Sequence, residues 1–326
     1  MIAHTERYGT TLPAAGGHFA PCAAQWVAAM SDAIEQFRNA LADAGVILAA
    51  GSQIIADGKL HRARAADDKA GQRTAWYRLH LDAPVAGAGG DWRQGISTRW
   101  TAKRQTLMSA AERAELARRI ERERAEAQAE TERRHKEAAA RALRIWNQAE
   151  PASASHPYLV RKGIAPGIAR QHLGALVLPV VGFSGALHGL QFIDEQGGKR
   201  FISGMAKQGH FIPSGGRPDA SRPLWVAEGH ATAHTLSALQ PNVCTIAACD
   251  AGNLASVATE ARKRWPALDI VVCPDFDEVG RQKGQEAAEK ARARILPIPA
   301  DMPKPCTDWN DWHAWRKSQR EGVAHG

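Results

Sequence analysis

The chain is poor in several of the features that usually reveal a protein's class. Its 326 residues hold five cysteines, Cys22, Cys244, Cys249, Cys273 and Cys306. None stands in a Cys-x-x-Cys spacing, so no structural zinc site is readable. Three lie in or beside short apolar runs, where Cys serves as a small apolar residue. No apolar run approaches the ~18 residues of a membrane-spanning helix. No basic segment followed by a long apolar core opens the chain, so no secretory signal is expected and the cytoplasm is the default location. Gly-x-x-x-x-Gly-Lys-[Ser/Thr] is missing, so these residues carry no P-loop ATPase. Tyrosine is scarce, at Tyr8, Tyr77 and Tyr158.

What is present is positive charge and a long, segmented chain. Lys and Arg number 42 against 34 Asp and Glu, a formal net charge of +8. That balance favours a polyanionic partner. The length suits two or three domains.

Residues 1–30 are rich in Ala, Gly and Pro and are expected to form a loose leader. A helix is expected over 30–44, capped by Ser31 or Asp32, with Ile34, Phe37, Leu41 and Ala44 on one face and Gly45 ending it. Residues 31–104 read as an α+β module. Asp57-Gly58 predicts a hairpin between Ser52–Ala56 and Lys59–Ala63, and Ala75–Leu81 alternates as a strand should. Basic residues from His61 to Arg104 interleave with Trp76, Tyr77, Trp92 and Trp100. Stacking platforms beside phosphate-neutralising groups suit a single-stranded nucleic acid. The competing reading is a small sheet whose tryptophans are its own core, and the two are not exclusive.

Residues 105–150 change character. They are rich in Ala, Glu and Arg, contain neither Gly nor Pro over Leu107–Ile145, and carry a thin apolar stripe. High helix propensity and pairs such as Glu115/Arg118 predict one solvated connector helix, roughly 60 Å long. DNA-tracking or coiled-coil roles are the alternatives. Glu150–Ser155 marks a boundary. Over 151–220 a short helix begins near His156-Pro157, followed by strands Leu176–Val181, Leu187–Asp194 and Lys199–Ser203 in an antiparallel meander.

The centre of the chain is 221–312. Three short apolar runs, Leu224–Ala227, Val243–Ala248 and Ile270–Cys273, alternate with helix-length segments. This pattern predicts buried parallel strands in βαβ units. Glu228 follows the first run; Asp275 and Asp277 follow the third. Ligands bind at the carboxyl ends of the strands of such sheets. Carboxylates gathered there repel one another, and a hard divalent cation resolves the conflict. A helix over 281–294, a short strand over 296–299 and a frayed basic tail over 313–326 complete the expectations.

Glu228-Gly229 and Asp275-Phe276-Asp277, with Asp250-Ala251-Gly252-Asn253-Leu254 between them, resemble a Toprim domain. Toprim is the catalytic fold of bacterial-type primases, topoisomerases and some nucleases. Lys304-x-x-x-Asp308-Trp-Asn-Asp311 resembles the closing motif of phage and plasmid primases. The meander with Gly197-Gly198-Lys199-Arg200 resembles the subdomain preceding Toprim in bacterial primases. In the first module, Asp57-Gly58-x-x-His61-Arg62 and Gly90-Asp91-Trp92-Arg93-x-Gly95 resemble segments of the same phage and plasmid proteins, with no catalytic role to carry over.

The resemblance implies an α/β fold, α+β overall. A Rossmann-like parallel sheet would be preceded by a small antiparallel β subdomain, a long charged helix and an N-terminal β-rich module. It implies metal-dependent synthesis of RNA primers on a single-stranded DNA template from ribonucleoside triphosphates. The cofactor would be Mg²⁺ or Mn²⁺, and a separate replicative helicase would be a partner. Glu228, Asp275 and Asp277 would be catalytic and, with Asp308, would hold metal. Lys199, Arg200, Lys207, Gly229, Lys283, Asp250, Asn253 and Asp311 would contact substrate or nucleic acid. The same carboxylates with water as nucleophile would make a nuclease or nicking enzyme. A non-catalytic nucleic-acid-binding accessory protein is the third reading. The few tyrosines speak against a topoisomerase.

Overall fold

In a computed structural model, residues 23–324 are described. They form two compact units, dividing between Ala125 and Glu126. The expected leader falls, for residues 1–22, outside the described residues.

The first unit opens with α1 (Ala23–Asp43). The helix starts earlier than its expected cap because the Ala-rich segment before Ser31 propagates it. Ser31 does not cap; its hydroxyl donates to the Val27 carbonyl one turn back. Four antiparallel strands follow in sequential order: β1 (His61–Ala63), β2 (Ala75–His80), β3 (Ala86–Asp91) and β4 (Ile96–Thr101). Ala75, Tyr77 and Leu79 take the buried positions of β2 and join Phe37 and Leu41 of α1 in the core. The approach is close because β3 is glycine-rich: a Cβ on Gly87 would lie 2.7 Å from the Phe37 ring.

The expected 52–56/59–63 hairpin does not form. Asp57 does make its turn, accepting from the Lys59 N–H at 2.9 Å. The Gly58 N–H, however, donates to Leu79 at 3.0 Å, so the turn packs on β2 and only His61–Ala63 joins the sheet. The Gly90–Gly95 motif also has a local structural explanation. Asp91 is buried and accepts from the Arg93 and Gln94 N–H groups at 2.7 and 3.1 Å. Asp68, equally buried, fixes the neighbouring loop through Ala65 and Thr74.

The long helix is observed as α2 (Ala110–Gln148), and the division between the units falls within it. Its first part packs in the first unit, where Arg119 donates to the carbonyls of Pro84 and Ala83 at 3.1 and 3.2 Å. Its last part is also no bare connector. Ala138 and Ala142 are fully buried, the latter against Val177 and Leu190 of the second unit.

The second unit contains two five-stranded sheets. One is antiparallel, in order β5 (Glu150–Pro151), β6 (Arg170–His172), β7 (Ala175–Val181), β8 (Leu187–Ile193) and β9 (Lys199–Phe201), with α3 (Pro157–Lys162) between β5 and β6. The other is built from β10 (Ile212–Pro213), β11 (Leu224–Ala227), β12 (Cys244–Ala247), β13 (Ile270–Cys273) and β14 (Arg294–Ile295). Its order is β10-β12-β11-β13-β14, with β12, β11, β13 and β14 parallel and β10 antiparallel. The crossovers are α4 (His230–Leu239), α5 (Leu254–Arg264) and α6 (Glu278–Ala291); α7 (Trp309–Ala324) closes the chain.

Alternation along the parallel strands divides the core. Leu224, Val226, Ile246, Ile270 and Val272 face α5 and α6, while Ala227, Ala247, Val271 and Cys273 share a cluster with α4, α7 and the antiparallel sheet. Both faces are buried, as the continuous apolar runs require. The boundary expected at 220/221 does not divide the two sheets, since β10 lies before it and pairs with β12, and the sheets have a common core: Leu176, Leu178 and Val180 belong to the same cluster as Ala231, Leu236 and Trp309. The tail expected to fray from 313 is helical to Ala324, because Trp309, Trp312 and Trp315 anchor its face on that cluster. The last strand lies at Arg294–Ile295, just before the expected 296–299.

Leu178→Ala is expected to destabilise the second unit by about 2–5 kcal/mol, the usual range for a buried Leu truncation. Because the core is common, hydrogen exchange should accelerate in both β7 and β13. Loss of protection in β7 alone would contradict this.

Candidate active site

The carboxyl ends of β11, β12 and β13 lie side by side, since Ala227 is in register with both Ala247 and Cys273. The residue after each strand end therefore enters one edge. Glu228 comes from β11, Cys249-Asp250 from β12, and Asp275 and Asp277 from β13. Asp308 arrives from the loop before α7. Electrostatic coupling connects them: Asp275 feels Glu228, Asp308 and Asp277, and Glu228 feels Asp277 and Asp250.

Burial dominates Asp275. Desolvation, reinforced by Glu228 and Asp308, lifts its pKa from 3.8 to about 8, and its Oδ1 is buried without a partner. Glu228 is raised for the same two reasons, burial and then the neighbouring Asp277, with partial relief from the Ala251 N–H. Asp277 is differently employed, accepting from the Gly280 N–H at 2.6 Å as the N-cap of α6. Gly280 serves the chain's own packing as well as any ligand: a Cβ there would lie 2.8 Å from the Asp275 carbonyl. A strap from the C-terminal motif holds this loop. The Phe276 N–H donates to Thr307 at 2.8 Å, and the Trp309 indole donates to Pro274 at 3.2 Å.

Positive charge is interposed selectively. Lys199 acts on Glu228, Asp275 and His230, and a Cβ on Gly229 would stand 3.8 Å from its ammonium. Lys207 pairs with Asp250 and lies over the Phe201 ring at 5.7 Å. Arg200 does not join them. Successive strand residues face opposite ways, and its guanidinium lies over Phe192 at 5.4 Å.

Three further expected contacts are structural. Asn253 is buried and donates to the carbonyls of Ala248, His210 and Lys207 at 2.7, 2.9 and 3.0 Å, while accepting from Gly209. Its amide hydrogens are fully engaged within the chain. Lys283 lies in the second turn of α6, paired with Glu286 at 2.9 Å, and is not at the helix N-terminus. Asp311 binds Lys162 at 3.0 Å and the Thr307 hydroxyl at 2.8 Å. Burial raises its pKa, but those hydrogen bonds outweigh it and the net shift is downward.

Lys162 itself was not evident from sequence. It also stands 3.7 Å from Asp308, and its carbonyl accepts from Asn310. Burial lowers its pKa, yet Asp308 and Asp311 prevail and raise it. Its position in the basic run Arg161-Lys162 at the C-terminal end of α3 was the available signal. His230, next to Glu228-Gly229, was also missed. It is fully buried, contacts the Ser214 hydroxyl at 3.1 Å, and burial drives its pKa to about 3, so it is neutral. Before Asp250, Cys249 adopts φ +79°, a conformation costly for a residue with a Cβ.

The donor set suits a hard cation. It consists of oxygens, their mutual repulsion is only partly relieved, and one buried oxygen is unpaired. Among the described residues no group of three or more His, Cys, Asp or Glu side chains is arranged to hold a metal ion. Mg²⁺ needs none, since it commonly takes one or two carboxylates together with substrate phosphates and water. A cavity of about 970 Å³ adjoins through Lys207 and is otherwise lined by groups such as His188, His210 and Lys263 rather than by the carboxylates.

This sheet and its acidic edge define a Toprim domain: residues 223–318 match the family model described as Toprim domain. Over 295 residues the chain is 32% identical to a DNA primase TraC of Escherichia coli, covering 81% of this chain and 26% of that protein. A second Escherichia coli DNA primase TraC is 30% identical over 295 residues, with coverages of 82% and 20%. The chain thus spans about a quarter or less of these curated relatives. Among solved structures, the primase fragment of the bacteriophage T7 primase-helicase protein matches at 17% identity and TM-score 0.41, over 51% of this chain and 72% of that one. The DnaG primase catalytic domain bound to ssDNA matches at 12% identity and TM-score 0.41, over 59% and 78%.

Two outcomes follow for the site. Between pH about 4 and about 8 the folded Asp275 keeps a proton that the unfolded chain has lost. Without divalent cation, stability should therefore fall as pH rises through that window. Asp275→Asn should flatten this slope in melting curves from pH 5 to 9, and an unchanged slope would refute the assignment. Asn253→Ala should cost roughly 2 kcal/mol or more by leaving buried carbonyls unpaired, measurable by denaturant unfolding.

Proposed function

We propose that this chain carries the catalytic core of a primase-type nucleotidyltransferase, which joins ribonucleotides on a single-stranded DNA template. The observation that carries the reading is the half-buried acidic edge: Glu228 and Asp275, both with raised pKa values, beside the exposed Asp277 and the ammonium of Lys199. The similarity to DNA primases supports it.

In this reading Glu228, half-buried and more basic than a free carboxylate, accepts the proton of the attacking 3′-hydroxyl. The 3′-oxygen bonds to the α-phosphorus of the incoming ribonucleoside triphosphate, and pyrophosphate leaves. Lys199 meets the phosphate oxygens. Asp275 and Asp277 would hold the divalent cations, with Asp308 close by; bound Mg²⁺ or Mn²⁺ supplies charge neutralisation at the attacking and leaving oxygens. Lys162 and the Thr307–Trp309 strap keep the acidic loops in place. A separate helicase would deliver the template.

The test is ribonucleotide incorporation on single-stranded DNA with Mg²⁺ or Mn²⁺, with template integrity read on the same gel. Short RNA products should appear with wild type and be lost with Asp275→Ala/Asp277→Ala. Glu228→Gln should lower the rate about 10²–10⁴-fold. Template cleavage without synthesis, abolished by the same substitutions, would make the protein a nuclease. DNA binding with neither activity would make it an accessory protein.

A further inference from the structure

The aromatic and basic residues of the first unit have been sorted by the fold. Tyr77 is buried, and Trp100 packs on Phe37 with ring centroids 5.7 Å apart; both belong to the core under α1. Trp76 and Trp92 do not. Trp76 lies on the opposite face of the sheet, across Gly90, whose missing Cβ would stand 2.7 Å from the indole nitrogen. Trp92 stacks beside it, with centroids 6.0 Å apart and planes at 28°, and is 47% exposed. The guanidinium of Arg62 sits over the Trp92 ring, 4.6 Å from its centroid.

Register extends this pair into a basic surface. Arg62, Trp76, Gly90 and Ser97 form one cross-strand row, and Arg78, Ala88 and Arg99 the next row on the same face. Arg78 is paired with Glu123 at 2.7 Å. Among the described residues no carboxylate pairs with Arg62 or Arg99. An exposed indole with an arginine over it and no acidic partner presents a stacking face and an unneutralised positive charge at one place. A nucleobase is flat and can displace the guanidinium from the indole, while the arginine moves to the adjoining phosphate.

We propose that Trp92, backed by Trp76 and flanked by Arg62 and Arg99, is a stacking platform for single-stranded DNA on the first unit. Its residues belong to the first unit, and those of the acidic edge to the second. The ligand is single-stranded because a base within a duplex has no free face to offer the indole. Arg62 and Arg99 have no carboxylate partner among the described residues, which favours a polynucleotide over an acidic-and-apolar protein surface.

The test uses the full chain carrying Asp275→Ala/Asp277→Ala, so that binding is read without catalysis and this proposal stands or falls apart from primer synthesis. Fluorescence anisotropy of a labelled oligo(dT) is measured against Trp92→Ala, Trp92→Phe and Arg62→Ala, with a duplex as control. Trp92→Ala should weaken single-strand binding about tenfold and Trp92→Phe about twofold or less, since a phenyl ring still stacks. Arg62→Ala should reduce the salt dependence by about one phosphate contact. Duplex affinity should be unaffected by Trp92→Ala. Trp92 is exposed, so circular dichroism should report an intact fold in each variant. Unchanged oligo(dT) affinity in Trp92→Ala, or an equal loss on duplex, would overturn the proposal.

Discussion

The second unit is arranged around electrostatic repulsion that its own side chains relieve only in part. Three short parallel strands end in register, and the residues that follow bring Glu228, Asp250, Asp275 and Asp277 to one edge. Neighbouring cations are placed so that relief is partial. Lys207 is matched to Asp250, and Lys162 to Asp311 with Asp308 nearby. Asp275 receives no hydrogen bond at Oδ1 and holds its proton to about pH 8. A cation placed beside Asp275 would displace that proton, so any such occupancy would be linked to pH.

Much of this edge was readable because its signals are local. Runs such as Leu224–Ala227 and Ile270–Cys273 are short, apolar and bounded by turn residues, and they became strands with those limits. Other features depended on partners remote in sequence. Nothing near Asn253 reveals that its amide joins three carbonyls, two of them from the 207–210 loop. Lys162 acquires its role only when α3 meets the start of α7. Arg200 is a different case. The period of two along a strand already implied that it could not face the same way as Lys199.

The first unit shows how composition alone leaves core and surface undivided. Its aromatic residues were equally consistent with a small hydrophobic core and with a binding face. Strand parity and α1 decide between them, taking Tyr77 and Trp100 inward and leaving Trp76 and Trp92 on the other side. The glycines of β3 permit both results, admitting Phe37 on one face and Trp76 on the other. In the Asp57-Gly58 and Gly90–Gly95 segments the two aspartates accept turn-forming hydrogen bonds, which accounts for those acids without catalysis.

The common core of the two sheets bears on how such a chain can be inherited. Leu176, Leu178 and Val180 of the antiparallel sheet and Ala231, Leu236 and Trp309 of the Toprim region cover one another. A recombination point between the sheets would expose apolar surface on both fragments and sever Lys162 from Asp311. The antiparallel sheet and the Toprim region are therefore constrained to be exchanged as one cassette, with the last part of α2 accompanying them because Ala142 packs against Val177 and Leu190.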